Sequence, residues 1–471
     1  MVFTSPTFLF LFLPIVLLAF LATPRSLRTP LLVAVSCVFY AWGEKQMVLL
    51  IIASSVINWA LALAVQRSEA PRARRMVLTA AVLINIGALL YFKYTNFIIA
   101  NLNALLEYSG IPSLTVAPVH LPIGISFVTF EALSYVIDVY RGETNAARNP
   151  IHVAFYISFF PHLIAGPILR FNDISAPLPG PSVTLARFDL GVSRFINGLC
   201  KKMLLANTLG YVADQVFQLP AQDLGTAAAW LGVICYALQI YFDFSGYSDM
   251  AIGLGHMVGF SLPENFRLPY RAESVKDFWR RWHISLSSWF RDYLFVPLGG
   301  SRVTAAATYR NLLVVFLLCG LWHGASWTFI VWGAYHGVFL VLERTRVGSV
   351  IARWPLGIRR SYALLVVLIG WVFFRAETLP AALHYLAAMG GLAGARPVPM
   401  IHFLTTEAAL ALIVGSLLAT RPFFGDRLDV LAQRRPAGLR LSLVSLQLVL
   451  FALSLLYVAA GTYNPFIYFR F

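Results

Sequence analysis

Apolar runs long enough to cross, or nearly cross, a bilayer recur from one end of this chain to the other. They lie near residues 8–22, 30–43, 47–65, 76–92, 121–139, 151–169, 226–242, 311–342, 361–374, 401–419 and 441–461. Each is read as a membrane helix, so the expected fold class is an all-α polytopic membrane protein with about 11 spans. Several runs fall short of the roughly 20 residues a straight crossing needs, and Gly or Pro interrupts others. Tilted, paired or re-entrant segments are therefore expected beside the full spans, and broken segments of this kind line cavities. Only 12% of the 471 residues are charged and 59% are hydrophobic, against about a quarter charged in a soluble domain. A soluble enzyme is excluded.

The formal charge is +15, from 36 Lys+Arg against 21 Asp+Glu. In a membrane protein such an excess belongs to cytoplasmic loops rather than to a nucleic-acid site, and no nucleic acid is expected as a partner. Arg25 and Arg28 follow the first run and Arg67, Arg72, Arg74 and Arg75 the third, while the turn between the second and third is nearly neutral. The amino terminus is expected to face away from the cytoplasm. The first run, Phe8 to Ala22, has no basic residue before it and no small-residue cleavage pattern after it, so it reads as the first membrane helix rather than a removable signal peptide. No internal repeat or low-complexity linker is visible, and residues 1–471 read as one multi-pass domain.

Two stretches carry the chemistry. Residues 263–302 hold seven basic residues, from Arg267 to Arg302, and are expected at the cytoplasmic face. Within them Trp282, Leu286, Trp289, Phe290 and Tyr293 form one apolar stripe, with Arg280, Ser287 and Arg291 opposite, ended by Pro297 and Gly299-Gly300. This predicts an interfacial amphipathic helix, for which anchorage to the headgroups is the plainest role. His283 lies on the flank of the stripe, where its ring could enter a protein cavity or the headgroup layer.

The second stretch, 311–342, contains LCGLWHGASWTFIVWGAYHG, with His323 in the middle of an apolar surrounding. An ionisable residue at membrane depth is costly, and it serves either function or a helix–helix hydrogen bond. Flanking Gly320 and Gly324 allow close approach, and an imidazole with an ordinary pKa near neutrality can take a proton from a hydroxyl. His323 is thus the candidate general base. His336, beside Gly333 and Gly337, reads as a packing or supporting residue. His120, His152, His162, His256, His384 and His402 have no partner motif. Asp243 and Asp249 in YFDFSGYSDMAIGLG are six residues apart, about 240° around a helix, so each reads as an internal acceptor or Arg partner rather than half of an acid–base dyad. The four cysteines form no C-x-x-C pair, so no disulfide framework or metal site is expected.

WRRWHISLSSWFRDYLFVPLGGSR at 279–302 and GLWHGASWTFIVWGAYHG at 320–337, with FFPHLIAGPILR at 159–170, YFDFSGYSDMAIGLG at 241–255 and the terminal NPFIYFRF, resemble the membrane-bound O-acyltransferase (MBOAT) family, and within it the bacterial alginate O-acetyltransferase branch. The resemblance covers nearly the whole chain. It implies roughly 11 spans around a central tunnel, His323 at the position of the family's catalytic histidine and His283 at its second polar position. It implies a cytoplasmic thioester donor, for which acetyl-CoA is the expected substrate, with no permanently bound cofactor, and a hydroxyl acceptor outside. It further implies periplasmic acetyltransferase or polysaccharide-modifying partner proteins and residence in the bacterial cell inner membrane. The expected activity is O-acetylation of an exopolysaccharide such as alginate. Another envelope polymer (peptidoglycan, cellulose, or teichoic acid receiving D-alanine) is the alternative, and a polysaccharide transport component, whose paired repeats are absent, is the rival from outside the enzyme class.

Overall fold

The structure, a computed structural model, describes residues 1–392, 394, 396–421, 437–461 and 463–465. The described residues form helices joined by turns, with no strand among them. Six helical stretches are long and apolar enough to cross a membrane: Arg25–Arg67, Pro71–Tyr108, Thr226–Met257, Ala305–His323, Leu356–Arg375 and Leu441–Ala459. Phe8–Ala22, Trp327–Leu342, Leu379–Met389 and Thr406–Thr420 are shorter apolar helices. The chain is a multi-pass membrane protein. Its helices are not equivalent: 83% of the apolar window of Thr226–Met257 is buried, against 11% of that of Leu441–Ala459, which leaves the latter's leucines for lipid. The terminal NPFIYFRF motif lies outside the described residues from position 466 onwards.

Residues divide into two compact units, Met1–Phe195 with Met250–Pro263, and Ile196–Asp249 with Glu264–Phe471. In the first, Ile125–Arg141 packs against Val48–Arg67 and Pro71–Leu89 and is buried along nearly its whole length. The apolar run at 151–169 does not make one helix. Helix Pro150–Ser158 ends there, and Phe159 to Arg170 proceeds as turns, because Pro161 and Pro167 remove backbone donors and break helical geometry. Irregular backbone buried in this way needs partners. Glu131 supplies one, its Oε1 accepting from the Leu169 backbone N–H at 3.1 Å and lying 3.1 Å from His162 Nδ1. Tyr156 supplies another, its hydroxyl hydrogen-bonding the Leu169 carbonyl at 2.9 Å.

In the second unit Lys201 and Lys202 stand side by side in a π-helical turn, Lys201–Ala206. Lys201 Nζ lies 2.5 Å from Asp249 Oδ2 and Lys202 Nζ 2.8 Å from Asp243 Oδ1. The sequence reading had these aspartates as acceptors or Arg partners; they pair with lysines. The reason is local: a π turn widens the helix and brings two consecutive lysines to successive turns of Thr226–Met257. Gly246 permits this approach, since a Cβ there would meet the Gly198 carbonyl oxygen at 2.7 Å.

Candidate active site

The predicted amphipathic helix is broken in the middle. Val275–Arg281 and Ile284–Phe290 are separate helices, and between them His283 adopts φ 44° and ψ 57°. This left-handed conformation is uncommon for a residue with a Cβ, so the surroundings must hold it. Asn265 does so. Its carbonyl oxygen accepts from the Ser285 N–H at 3.1 Å and the Ser285 hydroxyl at 3.0 Å and lies 3.3 Å from His283 Nδ1, while its backbone carbonyl accepts from the Ile284 N–H at 3.0 Å. One side chain therefore fixes both the kink and the imidazole. Asn265→Ala removes the shared acceptor and is expected to destabilise the protein by about 1–3 kcal/mol, read as a lower melting temperature in detergent.

The apolar stripe faces protein rather than headgroups. Trp282, Leu286, Trp289, Phe290 and Tyr293 are all buried, while Arg280 and Arg291 on the opposite face are exposed. Anchorage by that stripe is accordingly ruled out. His283 is fully buried, edge-on to Phe244 at 4.7 Å and to Trp322 at 6.1 Å between ring centroids. Burial pushes its imidazole down to about 3, so it stays neutral wherever the protein is studied. With the folded value below the unfolded one of about 6.5, its contribution to stability is complete above about pH 6.5 and is lost as pH falls towards 3. Melting temperature should fall between pH 6.5 and 4, and His283→Gln should flatten that fall.

His323 is the last residue of helix Ala305–His323, and only Gly324, Ala325 and Ser326 separate it from helix Trp327–Leu342, whose amino end Ser326 caps by accepting from the Thr328 N–H at 3.3 Å. The two helices make a hairpin in backbone contact. A Cβ on Gly320 would lie 2.3 Å from the Phe329 carbonyl oxygen, and one on Gly333 2.3 Å from that of Phe316. Gly320 and Gly324, and Gly333 and Gly337, repeat the small-x-x-x-small spacing that lets helices approach this closely. Each pair encloses a histidine, His323 in the first and His336 in the second.

Aromatic rings close around both. His323 is 5% exposed and meets Trp322, Trp332 and Phe374 edge-on, with centroids 5.0, 5.0 and 5.2 Å away. His336 meets Trp332 at 5.1 Å and Trp279 at 5.2 Å, and Gly370 of helix Leu356–Arg375 leaves room for its Nε2. Trp279 Nε1, Trp332 Nε1 and His336 Nδ1 are buried without a hydrogen-bond partner among the described residues. Buried polar atoms are seldom left so, and three together mark a place for a polar ligand or water. The geometry thus offers an imidazole at a helix end, apolar walls that exclude bulk solvent and unsatisfied donors nearby. That is what proton transfer from a hydroxyl in a dry site needs.

Residues 122–378, a span that contains both histidines, match the sequence model of the membrane-bound O-acyltransferase family. The chain belongs to that family. It is 41% identical to the probable alginate O-acetylase AlgI of Azotobacter vinelandii and 42% identical to that of Pseudomonas putida, each alignment covering 100% of both chains. It is 36% identical to the peptidoglycan O-acetyltransferase of Helicobacter pylori, over 87% of this chain and 82% of the relative. Family membership makes the protein an O-acyltransferase.

Sequence reasoning left His162 unassigned, yet it and Glu131 form a pair in which each side chain is 1% exposed. The available signal was Glu131 itself, an acidic residue inside an apolar run. Asn265 was missed as well, since nothing in its spacing tells of the bond to residues 18 and 20 positions on.

Proposed function

We propose that the protein transfers an acetyl group from a cytoplasmic thioester, acetyl-CoA, to a hydroxyl acceptor for O-acetylation of an exopolysaccharide of the alginate type, in the bacterial inner membrane. The observation that carries the reading is the setting of His323: a buried imidazole held at the end of a backbone-contact hairpin, beside buried polar groups that have no hydrogen-bond partner among the described residues, in a chain alignable end to end with probable alginate O-acetylases. In this mechanism His323 takes the proton of the acceptor hydroxyl as its oxygen attacks the thioester carbonyl. The C–S bond breaks, the thiolate leaves without a strong general acid, and the imidazolium returns its proton to it. His283, neutral and fixed by Asn265, orients the donor or hydrogen-bonds the developing oxyanion. About 11 crossings around a tunnel joining the two faces, with periplasmic acetyltransferase partners receiving the group, complete the proposal.

Purified protein in liposomes, supplied with acetyl-labelled acetyl-CoA, tests it. Release of CoA and appearance of label on added alginate or on a periplasmic partner protein support the reading; absence of turnover with every thioester offered overturns it. The likeness to a peptidoglycan O-acetyltransferase supports a second reading in which peptidoglycan is the final acceptor, and label on muropeptides in place of alginate selects it.

A further inference from the structure

Within the second unit a cleft of about 350 Å³ lies between the broken interfacial segment and the hairpin. That places it at the lower end of the roughly 300–1,000 Å³ usual for small-molecule sites. Its walls are apolar, formed by Leu286, Phe290, Phe295, Val315, Phe316 and Leu340, and its rim carries Lys276 and Arg280. Both cations are exposed, one helical turn apart, and neither makes an ion pair among the described residues. Trp279, 7% exposed, also lines the cleft, and its indole N–H is one of the buried donors without a partner. Two exposed positive charges at the rim of an apolar slot match a ligand with an anionic head and a hydrocarbon tail.

We propose that this cleft holds one anionic phospholipid, its phosphate between Lys276 and Arg280 and one acyl chain in the slot. Two observations favour a lipid over the thioester donor. Trp279 closes the inner end, its ring 5.1 Å from Phe316 and 5.6 Å from Trp332, and only beyond Trp332 comes His323, which does not line the cleft. A thioester lodged here would have an indole wall between its carbonyl and the base. The slot's own apolar lining is half-buried rather than sealed at Phe295, Leu312 and Phe316, a wall suited to a hydrocarbon chain. Headgroup attraction to basic residues at the membrane surface supplies the selectivity.

Native mass spectrometry of the full chain, released from nanodiscs of mixed phosphatidylglycerol and phosphatidylcholine, tests the proposal. The expected result is one retained phosphatidylglycerol, favoured over phosphatidylcholine by about tenfold. Lys276→Glu/Arg280→Glu should erase that preference, and Ser288→Trp, which fills the slot, should abolish retention of either lipid. The charge-reversal pair is on exposed side chains, so it decides the matter even if the tryptophan variant fails to fold. Retention and preference unchanged in the charge-reversed protein overturn the proposal, as does displacement of the retained lipid by an equimolar amount of acetyl-CoA, which would assign the cleft to the donor.

Discussion

His323→Ala is expected to lower acetyl transfer by about 10²- to 10⁴-fold, the usual contribution of a positioned general base. Labelled acetyl-CoA turnover in liposomes measures it. Fold is the necessary control, because the imidazole fills space among Trp322, Trp332 and Phe374. Truncation leaves a cavity, but the hairpin's close contact resides in Gly320 and Gly333 and is untouched by the change. The variant should still insert, purify as a single species and melt cooperatively. His323→Gln, which keeps volume and hydrogen-bonding capacity but has no comparable basicity, separates chemistry from packing. Near-normal turnover in the glutamine variant would mean that the residue is not a base.

The second large effect concerns stability. Lys202 and Asp243 have side chains only 4% and 1% exposed and lie 2.8 Å apart. Lys202 also donates to the Pro465 backbone carbonyl. Removing one partner of a buried pair strands the other charge and costs about 3–5 kcal/mol. Lys202→Met alone should therefore reduce the yield of folded protein and sharply lower its melting temperature in detergent. Lys202→Met/Asp243→Leu should recover much of the loss, since two apolar groups of similar size replace the pair without stranded charge. A double variant as unstable as the single one would show that the pair's worth lies in its other contacts, Pro465 foremost.

These two residue sets also show what can be read from sequence and what cannot. The hydrophobic runs gave the helical class and the positions of the six long apolar helices, because lipid imposes one requirement on every crossing segment and that requirement is local. The segment around His323 was legible for the same reason: a histidine in an apolar run is conspicuous wherever it stands. The Lys202–Asp243 pair joins residues 41 positions apart, and Glu131–His162 joins residues 31 apart; no periodicity links such positions. The stripe from Trp282 to Tyr293 had helical spacing and was correctly apolar, yet the break at His283 is invisible to a periodicity count. It depends on Asn265, whose bonds to Ser285 and His283 override the helical continuation of the intervening backbone. The turns after Ser158 were signalled by Pro161 and Pro167, and the length of the apolar run outweighed that signal in the sequence reading.

The glycine seam of the hairpin has a bearing on how the region around His323 can vary. Gly320 and Gly333 each face a carbonyl oxygen of the neighbouring helix at a distance no side chain tolerates, whereas Leu318 and Val338 point away from the seam and are substantially exposed. Tolerance to substitution is therefore one-sided: a library randomised across 313–340 should return diverse aliphatic residues on the outer face and glycine almost alone on the inner one. Efforts to reshape the surroundings of the His323 imidazole will find their freedom in the aromatic walls, Trp332 and Phe374, and not in the backbone that carries it.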